Sequence, residues 1–214
     1  MSTRTHWDTV YRTKAADQVS WYRAHLERSL AFIEAAAPDP AAAIIDVGGG
    51  ESTLVDDLVR RGHRDVTVLD VAPSAIAAAK ARLGAAAERV HWLVADITTV
   101  ELPLQRYDLW HDRAVFHFLT HPEDRAAYVR QALRAVRRGG YVVVATFGPQ
   151  GPEKCSGLPV VRYDADRLHD EFGPAFRLAD SAVELHRTPA GAIQQFTYCF
   201  CRVDQVHDGA AANP

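Results

Sequence analysis

Between residues 43 and 147 the apolar positions alternate between two rhythms. The run AIIDV (43–47) is short, continuous and stopped by glycines, as expected of a strand buried on both faces. TLVDDLVRRG (53–62) then sets Leu54, Val55, Leu58 and Val59 at helical spacing, with Gly62 as the stop. The alternation repeats with a strand at DVTVLDV (65–71) and a helix at PSAIAAAKARLG (73–84), for which Ser74 is the expected N-cap and Gly84 the expected stop. Strands follow at RVHWLVADI (89–97) and YDLWHDRAV (107–115). A long helix over 122–140 is expected to bury Ala126, Val129, Leu133 and Val136, and YVVVATF (141–147) reads as the fifth strand.

Strand alternating with helix predicts an α/β, doubly wound, Rossmann-like sheet covered on both faces. After residue 147 the rhythm changes. Glycines and prolines interrupt 148–162, and a short helix (164–172) precedes two further strands, FRLADSAVEL and QQFTYCFCRV. Pro189 and Gly191 between them predict an antiparallel hairpin. The expected whole is a single-domain, mostly parallel seven-stranded sheet with a late antiparallel strand, spanning 43–205. Residues 1–42 read as an N-terminal arm with a helix near 25–37, and 206–214 as a small, polar, flexible tail.

Composition narrows the function classes. A chain of 214 residues with net charge −3 offers no broad basic footprint for nucleic acid or an anionic membrane. No apolar run approaches the roughly 20 residues of a membrane span, and MSTRTHWDTVYRTK lacks the apolar core of an export signal. Cys155, Cys199 and Cys201 form neither a disulfide framework nor a zinc-ligand spacing, so no metal is expected. A reducing cytoplasm is the expected location.

The chemistry concentrates in DVGGGEST (46–53). A phosphate-binding P-loop requires a lysine and a hydroxyl after its last glycine, and here Glu51 and Ser52 follow Gly50. A dinucleotide loop would use Gly48 and Gly50, but Thr53 stands where its third glycine belongs. The acids separate the remaining ligands. Asp46 precedes the glycines, where a carboxylate would repel a pyrophosphate and attract an ammonium or sulfonium. Asp70 ends the second strand, placed to accept two ribose hydroxyls, and Asp96 ends the third, placed for an adenine amino group. Three acids at consecutive strand ends suit a positively charged nucleoside without phosphate, which describes S-adenosylmethionine.

On these residues the chain resembles the class I S-adenosylmethionine-dependent methyltransferases. DVGGGES matches the family's acid-G-x-G-x-G motif except that Ser52 replaces the last glycine, and the resemblance covers about residues 43–203. It implies that Asp46 with Gly48, Gly49 and Gly50 holds the amino-acid end of the cofactor. It further implies that Asp70 holds the ribose, that Asp96 and Ile97 meet the adenine, that Val71 also lies against the cofactor, and that HDRAVFHF faces the methyl group and acceptor.

Methyl transfer needs a base only when the acceptor carries a proton at neutral pH. His117 and Asp112 are the expected catalytic candidates, and Asp112 with Arg113 is alternatively a structural or cofactor-side pair. The arm carries Trp7, Tyr11, Trp21 and Tyr22, which either dock it or form an aromatic lid, Trp21 near the cofactor and the others near the acceptor. Similar W-D-x-x-Y and S-W-Y segments occur in thiopurine-type S-methyltransferases and in some lysine methyltransferases. Lys154, Cys155 and Arg162 lie in a loop expected to wall the acceptor site, and a small-molecule acceptor is expected over a protein lysine. A nicotinamide oxidoreductase and a noncatalytic cofactor-binding module are the other classes considered.

Overall fold

The computed structural model describes residues 3–204, so the expected tail lies outside the described residues. The core is a seven-stranded sheet ordered β3-β2-β1-β4-β5-β9-β8. Its parallel part comprises β1 (Ala43–Val47), β2 (Asp65–Asp70), β3 (Val90–Val94), β4 (Tyr107–Arg113) and β5 (Val136–Phe147). The hairpin of β8 (Phe176–Arg187) and β9 (Ile193–Val203) completes it, with β9 inserted antiparallel between β5 and β8. The expected fold and its late antiparallel strand are both present.

Helices cover both faces. On one side α2 (Glu27–Ala36) and α3 (Leu54–Arg60) bury Leu30, Ile33, Leu54 and Leu58 against Ile44, Val66 and Val143. The second helix of the arm is therefore part of the main core, and only the chain before it lies over the ends of the strands. On the other face α5 (Pro122–Ala135) and α6 (Ala165–Phe172) pack on Ile45, Trp110 and Val144.

Two sequence expectations shift here. α5 stops at Ala135, because Val136 already pairs with Tyr107 and the Arg-Arg-Gly-Gly segment runs extended, with Gly139 at φ 78. Its inner stripe is Tyr128, Ala132 and Ala135, while Ala126 is exposed. Tyr128 turns inward because its hydroxyl has two buried partners: it accepts from Trp110 Nε1 (2.8 Å) and donates to Asp112 Oδ2 (2.6 Å). Asp112 also accepts the backbone N–H groups of Val115 (2.8 Å) and Phe116 (3.0 Å), which fixes the turn after β4.

Burial pushes the Asp112 carboxyl up to about 6, opposed by these donors. Its folded pKa lies above the unfolded one, so the cost of holding it ionised grows as pH rises from about 4 through 6. Tyr128→Phe removes a donor and orphans the Trp110 N–H. The expected loss is about 2–3 kcal/mol at pH 8 and less at pH 5, read from urea unfolding at the two pH values.

Candidate cofactor and acceptor site

A cavity of about 560 Å³ opens where the carboxyl ends of β1 to β4 meet the N-terminal arm, the usual ligand position in an open α/β sheet. The glycine triplet is its floor. Gly48 and Gly50 have φ of 69° and 29°, and a side chain at Gly48 would collide with Val115. A Cβ on Gly49 would sit 2.5 Å from Asp46 Oδ2, and one on Gly50 would sit 2.6 Å from Asp70 Oδ2. The three glycines thus make room for two carboxylates.

Those carboxylates are buried. Asp46 Oδ1 accepts from His111 Nδ1 at 2.7 Å, whereas its Oδ2 has no partner among the described residues. Asp70 Oδ1 accepts the Ala72 N–H at 2.8 Å. Burial pushes the Asp70 carboxyl up to about 7, the Ala72 N–H opposing and Asp46 adding to the push. Burial also raises Glu51, against the Arg82 guanidinium, and its Oε2 is unpartnered as well. This end of the cavity is rich in acceptors lacking donors, so it suits a ligand that brings hydroxyls and positive charge.

At the other end lie Val71, Asp96, Ile97 and Thr98. β3 ends at Val94, so Asp96 sits in the following turn, where its Oδ1 accepts from the Thr98 N–H (2.9 Å) and hydroxyl (2.7 Å).

The roof is aromatic. Trp7 and Tyr11 come from α1 (Thr3–Thr13), Trp21 from the strap that follows, and Phe118 from the turn after β4. Trp7 meets Phe118 and Trp21 edge-on, with centroids 4.9 and 5.8 Å apart. Burial raises the Tyr11 phenol well above its ordinary range, with Asp70 and Glu51 adding to it. Tyr22 also lines the cavity. α1 is held on α4 (Pro73–Leu83) by Asp8, whose Oδ1 accepts the Ser74 N–H at 3.0 Å while the Ser74 hydroxyl donates to the Asp8 carbonyl at 3.2 Å. Ser74 is therefore not the expected N-cap. Pro73 opens the helix, and Asp8, far away in sequence, supplies the acceptor.

The strap is tied to the sheet. Arg113 Nη1 donates to the Trp21 carbonyl (3.1 Å) and its Nε to the Tyr198 hydroxyl (3.2 Å), with the guanidinium 4.1 Å over the Phe196 ring. His186 Nε2 donates to the Ser20 carbonyl (2.7 Å), and Arg23 pairs with Glu184 (2.7 Å). The last wall is a hairpin of β6 (Lys154–Cys155) and β7 (Leu158–Pro159) that turns Cys155, Leu158 and Pro159 into the cavity. Burial pushes the Cys155 thiol up to about 11. Lys154, the neighbour of Cys155 on a two-residue strand, points to solvent and away from the acceptor. Arg162 holds the carbonyls of Pro149 and Gly151 instead of facing the cavity.

Both expected catalytic residues lie off the cavity. Asp112 is committed to the turn after β4. His117 is fully buried between Phe118 and Phe147, its Nδ1 accepting the Phe147 N–H at 3.2 Å, and burial pushes the ring down to about 3. It is a packed neutral histidine. Residues 116–118 form a tight helical turn, so within the HDRAVFHF segment expected to face the acceptor it is the neighbouring Phe118 that lines the cavity. Glu51 and Arg23, which no sequence argument had singled out as site residues, line it too. Gly50 is not on the cavity wall and acts through its contact with Asp70.

Fold and site together define a Rossmann-like domain with an acceptor-rich cavity at the carboxyl ends of its strands. Residues 44–140 match the methyltransferase-domain family. The chain is 37% identical over 112 residues to a ubiquinone biosynthesis O-methyltransferase of Methylobacterium sp. (strain 4-46), covering 51% of this chain and 43% of that one. It is 32% identical over 110 residues to a malonyl-[acyl-carrier protein] O-methyltransferase of Paenibacillus sp. (strain JDR-2), covering 50% and 39%. The chain thus spans less than half the length of these two curated relatives. Among solved structures, a Burkholderia thailandensis 1,6-didemethyltoxoflavin-N1-methyltransferase with bound S-adenosylhomocysteine shares the fold at TM-score 0.67 and 19% identity, covering 95% of this chain and 84% of that one. Over residues 44–140 the chain resembles the class I S-adenosylmethionine-dependent methyltransferases, and S-adenosylmethionine is the cofactor to which that likeness points. The orphaned Asp46 oxygen and the crowded glycine floor fit the cationic, hydroxyl-bearing group.

Asp70 sets an opposition between stability and binding. Its folded pKa of about 7 lies above its unfolded value, so in the unliganded chain it lowers stability progressively as pH rises from about 4 to 7. Asp70→Asn keeps the acceptor for Ala72 and removes that penalty. At pH 8 the variant is expected to be more stable by up to about 4 kcal/mol, yet to bind S-adenosylhomocysteine at least about tenfold more weakly; thermal melting and calorimetry read the two effects. His117→Ala is expected to cost about 2–4 kcal/mol of stability while S-adenosylhomocysteine affinity stays within about threefold, measured the same way.

Proposed function

We propose that the chain transfers a methyl group from S-adenosylmethionine to a small-molecule nucleophile. The aromatic roof carries this reading. The acceptor end is enclosed by Trp7, Tyr11, Trp21, Phe118 and the Cys155–Pro159 hairpin, and a protein lysine would have to thread between rings such as Trp7 and Phe118, 4.9 Å apart. A compact, largely apolar or aromatic acceptor suits these walls. A lysine acceptor is the alternative reading.

In this reading the arm before α2 is a lid that screens the site from water. Asp46 and the Gly48–Gly50 backbone hold the amino-acid end, Asp70 the ribose hydroxyls, and Val71, Asp96 and Ile97 the adenine. Trp21 covers the cofactor. Trp7, Tyr11, Tyr22, Arg113 and Cys155 shape the acceptor side. The bound cofactor supplies a methyl group on a sulfonium, open to in-line displacement, so the protein's task is alignment. Tyr11 and Cys155 stay protonated at neutral pH, because burial raises both, and neither is a ready base. The acceptor is accordingly one whose nucleophilic atom arrives with a free lone pair or already ionised. Three free cysteines suit a reducing cytoplasm as the place of action. Among the described residues no helix is long and apolar enough to cross a membrane.

Incubation with methyl-labelled S-adenosylmethionine and a host extract, split into metabolite and protein fractions, tests the assignment. Label is expected among the metabolites. Label in a protein band instead would favour the lysine alternative, and no transfer to either fraction would count against catalysis.

A further inference from the structure

The free oxygen of Asp46 owes its direction to a residue outside the glycine motif. β1 and β4 are in register with Asp46 opposite His111, so the carboxylate and the imidazole are cross-strand neighbours held side by side. His111 is 1% exposed and both its ring nitrogens are engaged: Nδ1 with Asp46 Oδ1 at 2.7 Å, Nε2 with the Ser29 hydroxyl of α2 at 2.8 Å. An ionised Asp46 accepts only, so Nδ1 carries the hydrogen, and in the neutral ring the Ser29 O–H donates to Nε2. Ser29 is fully buried, which locks the imidazole plane from behind.

The terminal torsion of an aspartate is broad, with no deep well to hold the carboxylate plane. Asp46 stands close enough to Asp70 for the two to repel, which would turn it aside. The donor from His111 fixes Oδ1, and Oδ2 is thereby left buried, unpartnered and pressed against Gly49 on the cavity floor. A buried acceptor without a donor is costly unless a ligand brings one. The amino-acid end of the cofactor offers such a donor in its ammonium group.

We propose that His111 is a positioning residue for cofactor recognition, which, braced by Ser29, orients Asp46 so that its free oxygen receives the ammonium of the cofactor's amino-acid end. The proposal rests on the cofactor assignment above and does not depend on the acceptor. It predicts selectivity by ligand part, because His111 bears on one end of the ligand only.

Calorimetry with two probes tests it: S-adenosylhomocysteine, and 5′-methylthioadenosine, which keeps the nucleoside and lacks the amino-acid group. His111→Leu fills similar space without donors. It is expected to lose at least about tenfold in affinity for S-adenosylhomocysteine, with methylthioadenosine within about twofold of the unaltered chain. His111→Asn restores a donor near the Nδ1 position and is expected to regain S-adenosylhomocysteine binding to within about threefold. Ser29→Ala, which removes only the brace, is expected to show a smaller loss of the same selectivity and keeps the test open should the leucine variant fail to fold. Unchanged S-adenosylhomocysteine affinity in both His111→Leu and Ser29→Ala overturns the proposal, as does a parallel loss of both probes in folded variants, which marks a structural role. An unaltered chain that binds neither probe overturns instead the cofactor assignment beneath it.

Discussion

Two buried carboxylates at the ends of adjacent strands are the constraint on which the site depends. Asp46 and Asp70 face the same turn, and the Cβ positions of Gly49 and Gly50 are already taken by their oxygens. Burial and the neighbouring Asp46 raise Asp70 to about 7, so the unliganded floor holds Asp70 ionised only at a cost. A folded chain tolerates such groups when a ligand supplies what they lack. The glycines, often read as a flexible loop, are here a consequence of the acids: a side chain at Gly49 or Gly50 would displace the two carboxylates.

The rest of the architecture serves the geometry of that floor. Asp112 anchors the turn after β4 through two backbone N–H groups and Tyr128, and the turn carries Val115 against Gly48 and Phe118 into the roof. The arm is fixed at two separate places. Asp8 ties α1 to the start of α4, and Arg113, His186 and Glu184 tie the strap to β4 and β8. These tethers are part-buried hydrogen bonds and one ion pair, and the aromatic contacts they bring together bury large rings. In the lid reading proposed above, those rings are what would cover a ligand in the space beneath them.

The sheet, its order of elements and the acid–glycine floor were legible in the sequence because each follows from local patterns: apolar runs of strand length, stops at glycine, and acids at strand ends. What was not legible depended on which way a side chain turns. His117 and Phe118 are adjacent in FHF, and only the tight turn decides that the phenylalanine meets the cavity while the histidine meets Phe147. The stripe of α5 was misplaced because Tyr128 counts as half polar in a sequence, while its hydroxyl is satisfied inside by Trp110 and Asp112. Ser74 had the composition of a cap, but its partner is Asp8, far away in sequence. Lys154 and Cys155 were one expectation in the sequence, and a two-residue strand sends them to opposite sides.

The same logic explains why perturbed protonation does not by itself mark the residues that line the site. Perturbed groups mark functional sites only when they also face a ligand. His117 and Asp112 are strongly shifted by burial, yet each is consumed by backbone donors of the scaffold. Asp70 and Tyr11 are shifted by the same physical cause and do face the cavity. Geometry therefore separates two roles for burial: in the scaffold it secures turns through groups that never titrate near neutrality or do so at a cost, and on the floor it holds acceptors in readiness for a cation. The proposed reaction, which moves a methyl group from a sulfonium, asks chiefly for the second, since it depends on alignment and charge complementarity more than on proton transfer.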